Sequence, residues 1–309
     1  MARFPKTEFD KLYPSDDACS DKIFQLRYGG LTVCPNCGEP ASFRRVPTRK
    51  CYQCTHCYAQ FYPTAGTPME KTHIPLHLWL DIIHRFVTTR NGIAAKEIER
   101  IVGCNYKTAW RMGHQIRKLM GGQSEDMIMG VVELDESWVG GKSKNMHAFK
   151  RKKMKKETGS ISNKTVVFGM LERGIGVRVH VLPTDTVEAK DVQPIIRMQV
   201  DKGTILMTDK SKAYDALDGE YVRESVNHGY GQYVREKDIH VNGIEGFWSQ
   251  VKRTIGGTHI QVSRKWLPLY VNECAFRYNN VFKGEKMFDT ILSNLPVVID
   301  KNGGAKTTS

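Results

Sequence analysis

No run of apolar residues in this 309-residue sequence approaches the roughly 20 needed to span a bilayer. A membrane-spanning role is therefore not expected. The first residues, MARFPKTE, are polar and lack the apolar centre of a secretory signal. The chain is accordingly expected to stay in a reducing compartment, the cytoplasm. Cysteine is sparse outside one window: of eight, five fall between positions 34 and 57. In a reducing compartment this argues against a disulfide scaffold.

Acid is also in short supply. Against 46 Lys and Arg stand 33 Asp and Glu, a net charge of +13, which favours a polyanionic partner. Residues 1–124 carry a basic surplus of 8 and residues 125–309 a surplus of 5. Yet Lys142 to Lys156 holds eight basic residues and no acid. Without that segment the second half has a deficit of 3. A mildly acidic body with one basic arm suits a carboxylate metal site beside a segment that attracts DNA phosphates. Hydrophobic residues at 40% and charged residues at 26% leave enough apolar material for a buried core.

The cysteine window reads Cys34-Pro-Asn-Cys37, then Cys54-Thr-His-Cys57, a C-x2-C-x16-C-x2-C spacing. Two such knuckles can set four thiolates around one Zn²⁺ in the tetrahedron it prefers. Cys51-Tyr-Gln-Cys54 is a rival second knuckle. Structural zinc on Cys34, Cys37, Cys54 and Cys57 is the preferred assignment, in an N-terminal segment 1–63 whose ribbon spans about 30–63. Cys19, Cys104 and Cys274 are expected to be small buried hydrophobes.

Leu76, Leu80, Ile83 and Val87 recur at helical spacing, with Pro75 suited to a first helical position. A second helix is expected over 94–102, ended by Gly103, and a third capped by Asn105. The third has Ala109, Met112, Ile116 and Leu119 on one face and Lys107, Arg111, His114 and Lys118 on the other. Helix, glycine turn and a helix with a basic outer stripe is the pattern of a helix-turn-helix DNA-binding domain, placed at 72–122.

From Met127 the pattern changes to that of an α/β domain, 125–285, with the basic insertion at 142–156. MIMGVVELDE reads as an apolar strand ending in acids, followed by a hairpin over 164–182 and a helix over 187–200. A short strand, 204–208, puts Asp209 at its carboxyl end, and a helix is expected to begin near Ser211. Asn242 can cap a later helix, on which Glu245, Trp248 and Lys252 share a face. His228 and His240 show no metal-ligand spacing and are read as structural or DNA-contacting. Residues 286–309 form a C-terminal segment whose end, after about Asn302, reads as a disordered tail.

ELDESWVGGK around Asp135, MTDKSKAY around Asp209 and HVNGIEGFWSQVKR resemble the bacterial insertion-sequence transposases with a DDE core. NHGYGQYV at 227–234 and FRYNN at 276–280 resemble them too. The branch concerned carries an N-terminal zinc ribbon and is related to the eukaryotic Merlin transposases. The resemblance implies a ribonuclease H-like core, a mixed sheet with helices on both faces, preceded by the ribbon and the helix-turn-helix. It implies that Asp135 and Asp209 are the first two catalytic acids. Glu245, after 35 intervening residues, is the choice for the third, with Asn242 as rival. Lys252 matches the family lysine. Three carboxylates are enough protein ligands for two Mg²⁺ (or Mn²⁺) ions, Asp135 bridging them. Glu133 and Glu136 are read as supporting or surface residues.

Double-stranded DNA, both transposon ends and target, is the implied partner, and a dimer or higher multimer the implied assembly. Contacts to DNA are expected from Lys107, Arg111, His114 and Lys118, from Lys150, Arg151, Lys152 and Lys153, and from Arg253. Trp248 is either a base-stacking platform or a core residue. The implied activity is metal-dependent cleavage of the element's terminal inverted repeats and strand transfer. The alternative is a descendant that binds DNA but has lost catalysis.

Overall fold

Period-two alternation organises the second half of the chain. In β4 (Val131–Gly140), Val132 and Leu134 join one buried cluster while Val139 joins another. In β5 (Lys164–Glu172), Val166, Phe168 and Met170 face the first cluster, and Val167 and Leu171 the second. A strand that is apolar on both faces must be covered on both, at about 1.5–3 kcal/mol for each large side chain buried. The computed structural model describes residues 4–122, 126–141, 147–158, 164–226, 240–281, 283 and 285–296, without the side chains of 150, 154, 157, 158 and 226. It forms two compact units, Gln123–Asn279 and the remainder of the chain.

The Gln123–Asn279 unit is a mixed five-stranded sheet. With β6 (Gly176–Val181), β7 (Ile205–Asp209) and β8 (Val222–Val226), the order is β6-β5-β4-β7-β8. β5 runs antiparallel to β4 and β6, whereas β4, β7 and β8 are parallel. One face is covered by α7 (Ala189–Gln199), through Val192 and Ile196. The other is covered by α8 (Asn242–Arg253) and α9 (Leu267–Asn280), through Ile244, Phe247, Trp248, Val271 and Cys274. Glycine at 169 is what lets α8 approach so closely: a Cβ there would lie 2.7 Å from the Trp248 ring. The FRYNN segment has a structural task as well, since Asn279 bonds both N–H and C=O of Val177 on edge strand β6 (2.7 and 3.0 Å).

Three expectations change here. β4 continues to Gly140 because its residues through Gly140 pair with β5, so Asp135 lies mid-strand and not near a strand end. The element after Ser211 is a 3-10 turn over Lys212–Leu217, capped by Ser211. Part of the basic insertion is helical, α6 (Ala148–Thr158).

In the other unit, α1 (Lys6–Leu12) and α2 (Asp16–Tyr28) precede a three-stranded antiparallel ribbon, β1 (Phe43–Val46), β2 (Cys51–Cys54) and β3 (Gln60–Phe61). The sequence reading assigned no element before the ribbon. Phe24 of α2 stacks on Tyr52 of β2 with ring centres 3.7 Å apart, beside Tyr28 and Phe61. Then come α3 (Leu76–Thr88), α4 (Ala95–Val102) and α5 (Tyr106–Leu119). Gly103 closes α4 in the left-handed conformation (φ 70°), and the Asn105 side chain accepts the Thr108 N–H at 2.9 Å, as the sequence predicts. The last helix, α10 (Glu285–Ser293), was expected in a terminal segment of its own. It packs into this unit instead, where Phe288 meets Phe4, Phe9 and Tyr13. Among the described residues no helix is long and apolar enough to cross a membrane.

Candidate active site and metal centre

The parallel register of β4 and β7 sets two acids side by side. Val131 pairs with Ile205, Val132 with Leu206 and Glu133 with Met207. Two residues further along each strand stand Asp135 and Asp209, level and on the same face. That is the face covered by α8: Asp135 pairs with Gly169, the residue under Trp248. Glu245, one turn into α8, completes the group, and its charge reaches Asp135. Burial pushes Asp135 up to about 6, and the nearby Asp209 and Glu245 push the same way. Asp209 and Glu245, from a neighbouring strand and a helix, thus lie within electrostatic reach of Asp135.

Around them, the Asp209 carboxylate accepts the Ser211 N–H at 2.9 Å, which fixes the strand-to-turn corner. Glu136 points to the opposite sheet face, as alternation requires, and accepts a hydrogen bond from the fully buried Tyr214 hydroxyl. Burial raises Glu136 to about 7. Glu133 is 1% exposed and accepts the Ile244 N–H of α8 at 2.9 Å. It pairs with Arg173 at 2.8 Å. Neither glutamate is a surface residue.

Other expected site residues fall as follows. Asn242 is exposed and is the first residue of α8; Val241 holds the cap position, so Asn242 is not the cap. Lys252 and Arg253 are exposed near the end of the same helix. Trp248 is 3% exposed and packed on Gly169, so it is a core residue and not a stacking platform. Its buried N–H has no hydrogen-bond partner among the described residues, yet it lies close enough to favour the charged form of Asp135. Lys107, Arg111 and Lys118 are exposed on α5. His114 leaves that stripe: it is 4% exposed, with its ring on Trp110 and Nδ1 2.9 Å from the Trp110 carbonyl. Arg151, Lys152 and Lys153 are exposed on α6; Lys150 belongs to that helix, but its side chain lies outside the described set. Residues 142–146, the NHGYGQYV segment with His228, and the tail after Asn302 also lie outside the described residues.

The supporting reading of Glu133 and the structural reading of His240 agree with these contacts, whereas Arg173 and Tyr214 were not singled out by the sequence. Glu133 did leave a signal, a second acid two residues before Asp135 and so on the same strand face.

In the other unit, the sulfurs of Cys34, Cys37, Cys54 and Cys57 all lie within 4.8 Å of one another. Cys34–Cys57 and Cys37–Cys54 are 3.9 and 4.0 Å apart. A zinc ion with Zn–S bonds of about 2.3 Å requires S–S edges of about 3.8 Å, so the four thiols fit structural zinc. The Ala59 N–H and the Asn36 amide, 3.3 Å from the sulfur, draw the Cys57 thiol down to about 6 and favour its thiolate. Cys51 is not in the cluster: three residues from Cys54 on β2, it points to the opposite strand face.

Two regions match known families. Residues 127–279 match the ISXO2-like transposase domain, and residues 14–60 match the transposase zinc-ribbon domain. An uncharacterized transposase-like protein of Haemophilus influenzae is 32% identical over 108 residues, which are 33% of this chain and 82% of that protein. The matched sheet domain and four-cysteine ribbon therefore define a DNA-processing protein of the transposase class. The chain belongs to the ISXO2-like transposase family.

Proposed function

We propose that this protein is an active DDE transposase, which binds the inverted repeats of its element and catalyses Mg²⁺-dependent strand cleavage and transfer. The observation that supports it most is the convergence of Asp135, Asp209 and Glu245 from a ribonuclease H-like strand order. Three hard oxygen donors, mutually repelling without a cation, fit Mg²⁺ or Mn²⁺ and not a soft metal. When bound, two such ions activate the attacking oxygen and stabilise the leaving one in an in-line displacement.

The chain's own residues do the rest. Asp135, Asp209 and Glu245 would hold the ions, and Lys252 would draw the scissile strand's backbone to the same helix. Lys107, Arg111 and Lys118, as the outer stripe of a helix-turn-helix, contact transposon-end DNA, and the arm of Arg151, Lys152 and Lys153 contacts donor or target phosphates. An element with two inverted repeats presents two ends to be held together, which supports a dimer or higher multimer on DNA as the working form.

The test is cleavage and joining of DNA carrying the gene's own flanks, with Mg²⁺, by wild type, Asp209→Asn and Glu245→Gln. The expected result is joined 3′-ends from wild type and a loss on the order of a thousandfold or more in both variants. If Glu245→Gln keeps its activity, Asn242 takes the third position. A wild type that binds the flanks and never cuts them would make the protein a non-catalytic DNA-binding descendant.

A further inference from the structure

We infer that Glu133 is a positioning residue that holds Glu245 in register with Asp135 by fastening the start of α8 to β4. This rests on the reading of Asp135, Asp209 and Glu245 as the metal-binding acids.

Four contacts carry the inference. The Glu133 carboxylate accepts the Ile244 N–H at 2.9 Å, one residue before Glu245, in a helix whose cap residue Val241 supplies no side-chain bond. A carboxylate at that place satisfies an orphan N–H and meets the positive end of the helix dipole. Its second oxygen accepts Arg173 Nε at 2.8 Å. The same guanidinium donates to the His240 carbonyl at 2.7 Å and lies 3.0 Å from His240 Nδ1, so it also fixes the chain entering α8. Finally, Gly243 makes room: a Cβ there would stand 2.9 Å from Glu133 Oε2.

Glu133 and Asp135 lie two residues apart on one strand face, and Ile244 and Glu245 are adjacent on one helix. One buried carboxylate, 1% exposed, therefore sets the distance between two of the acids without touching a metal. Nothing in α8 itself could do this, since its own first turn offers no cap. A buried charge tied at both oxygens holds one geometry, because any shift leaves it unpaired.

The experiment is Mn²⁺ binding, followed by electron paramagnetic resonance, on the full zinc-loaded chain, with strand cleavage measured alongside. Glu133→Leu removes the acceptor, Glu133→Gln keeps an acceptor for Ile244, and Gly243→Ala crowds the contact from the helix side. We expect Glu133→Leu and Gly243→Ala to raise the Mn²⁺ half-saturation about ten- to a hundredfold, the range for residues that orient metal ligands. Glu133→Gln should recover most of that loss. A purely structural role would lower the melting temperature of all three and leave the half-saturation of the folded protein unchanged, which would overturn the inference. If Glu133→Leu does not fold, an unchanged half-saturation in Gly243→Ala overturns it equally. If wild type binds no Mn²⁺, the metal-site reading itself fails and takes this inference with it.

Discussion

The two units gather their candidate metal ligands in opposite ways. In the ribbon, four thiols come from 24 consecutive residues, Cys34 to Cys57, on two local knuckles. In the sheet unit, Asp135 and Glu245 are 110 positions apart and meet because a parallel strand pair and a packed helix bring them together. The first arrangement has only the small cluster of Phe24, Tyr28, Tyr52 and Phe61 as its own core, so bound zinc should supply much of its folding energy. The second has two large cores of its own and holds its acids in place against their mutual repulsion. On the proposed reading, the ribbon uses metal for stability, and the sheet unit gives up stability to make a metal site.

The largest effect that could break this comparison is loss of a thiolate. Cys54→Ser should release zinc, read by elemental analysis, and abolish hydrogen-exchange protection in β1 and β2 while β4 and β5 stay protected. Equal loss of protection in β4 and β5 would show that the sheet unit depends on the ribbon. In the other direction, Asp135→Asn should stabilise the sheet unit in buffer free of Mg²⁺ and Mn²⁺, by about 1–3 kcal/mol at pH 8, since it removes a buried charge from two like neighbours. A lower melting temperature would mean that the acids are not strained against each other.

A smaller effect separates the outer stripe of α5 from its buried neighbour. Lys107→Ala, Arg111→Ala and Lys118→Ala should each weaken binding to end DNA and lower the slope of log affinity against log salt by about one. His114→Gln should leave the salt slope unchanged, because His114 does not reach the surface. An unchanged slope in the three basic variants would remove α5 from the DNA interface.

The smallest is a difference in pH response. His84 and His114 are held below their ordinary value by burial. Their contribution is complete above about 6.5 and is lost as pH falls through their folded values. Asp135 and Glu136, raised to about 6 and about 7, contribute most at low pH and lose that contribution as pH rises through those values. His180, also lowered by burial, opposes them within the sheet unit. Lowering the pH from 8 to 5.5 without Mg²⁺ should therefore reduce exchange protection in α3 and α5 and increase it in β4. Changes of the same sign in both units would contradict this.

The zinc ligands, the helices over 76–119 with their Gly103 and Asn105 boundaries, and the strands carrying Asp135 and Asp209 were legible in the sequence. Each is written in residues close together in the chain: cysteine spacing, helical periodicity, alternation and cap chemistry. The rivalry between Cys51 and Cys57 was not, because spacing alone permits both; Cys51 and Cys54 stand three residues apart on β2 and so point to opposite faces, and Cys54 is the one in the thiol cluster. Nor was the place of His114 or Trp248, since a helical stripe gives a direction and not what covers it. The roles of Glu133, Arg173 and Gly243 depended wholly on tertiary structure. A carboxylate that caps a helix 111 positions away has no local signature, because the contact exists only once β4 and α8 are packed together.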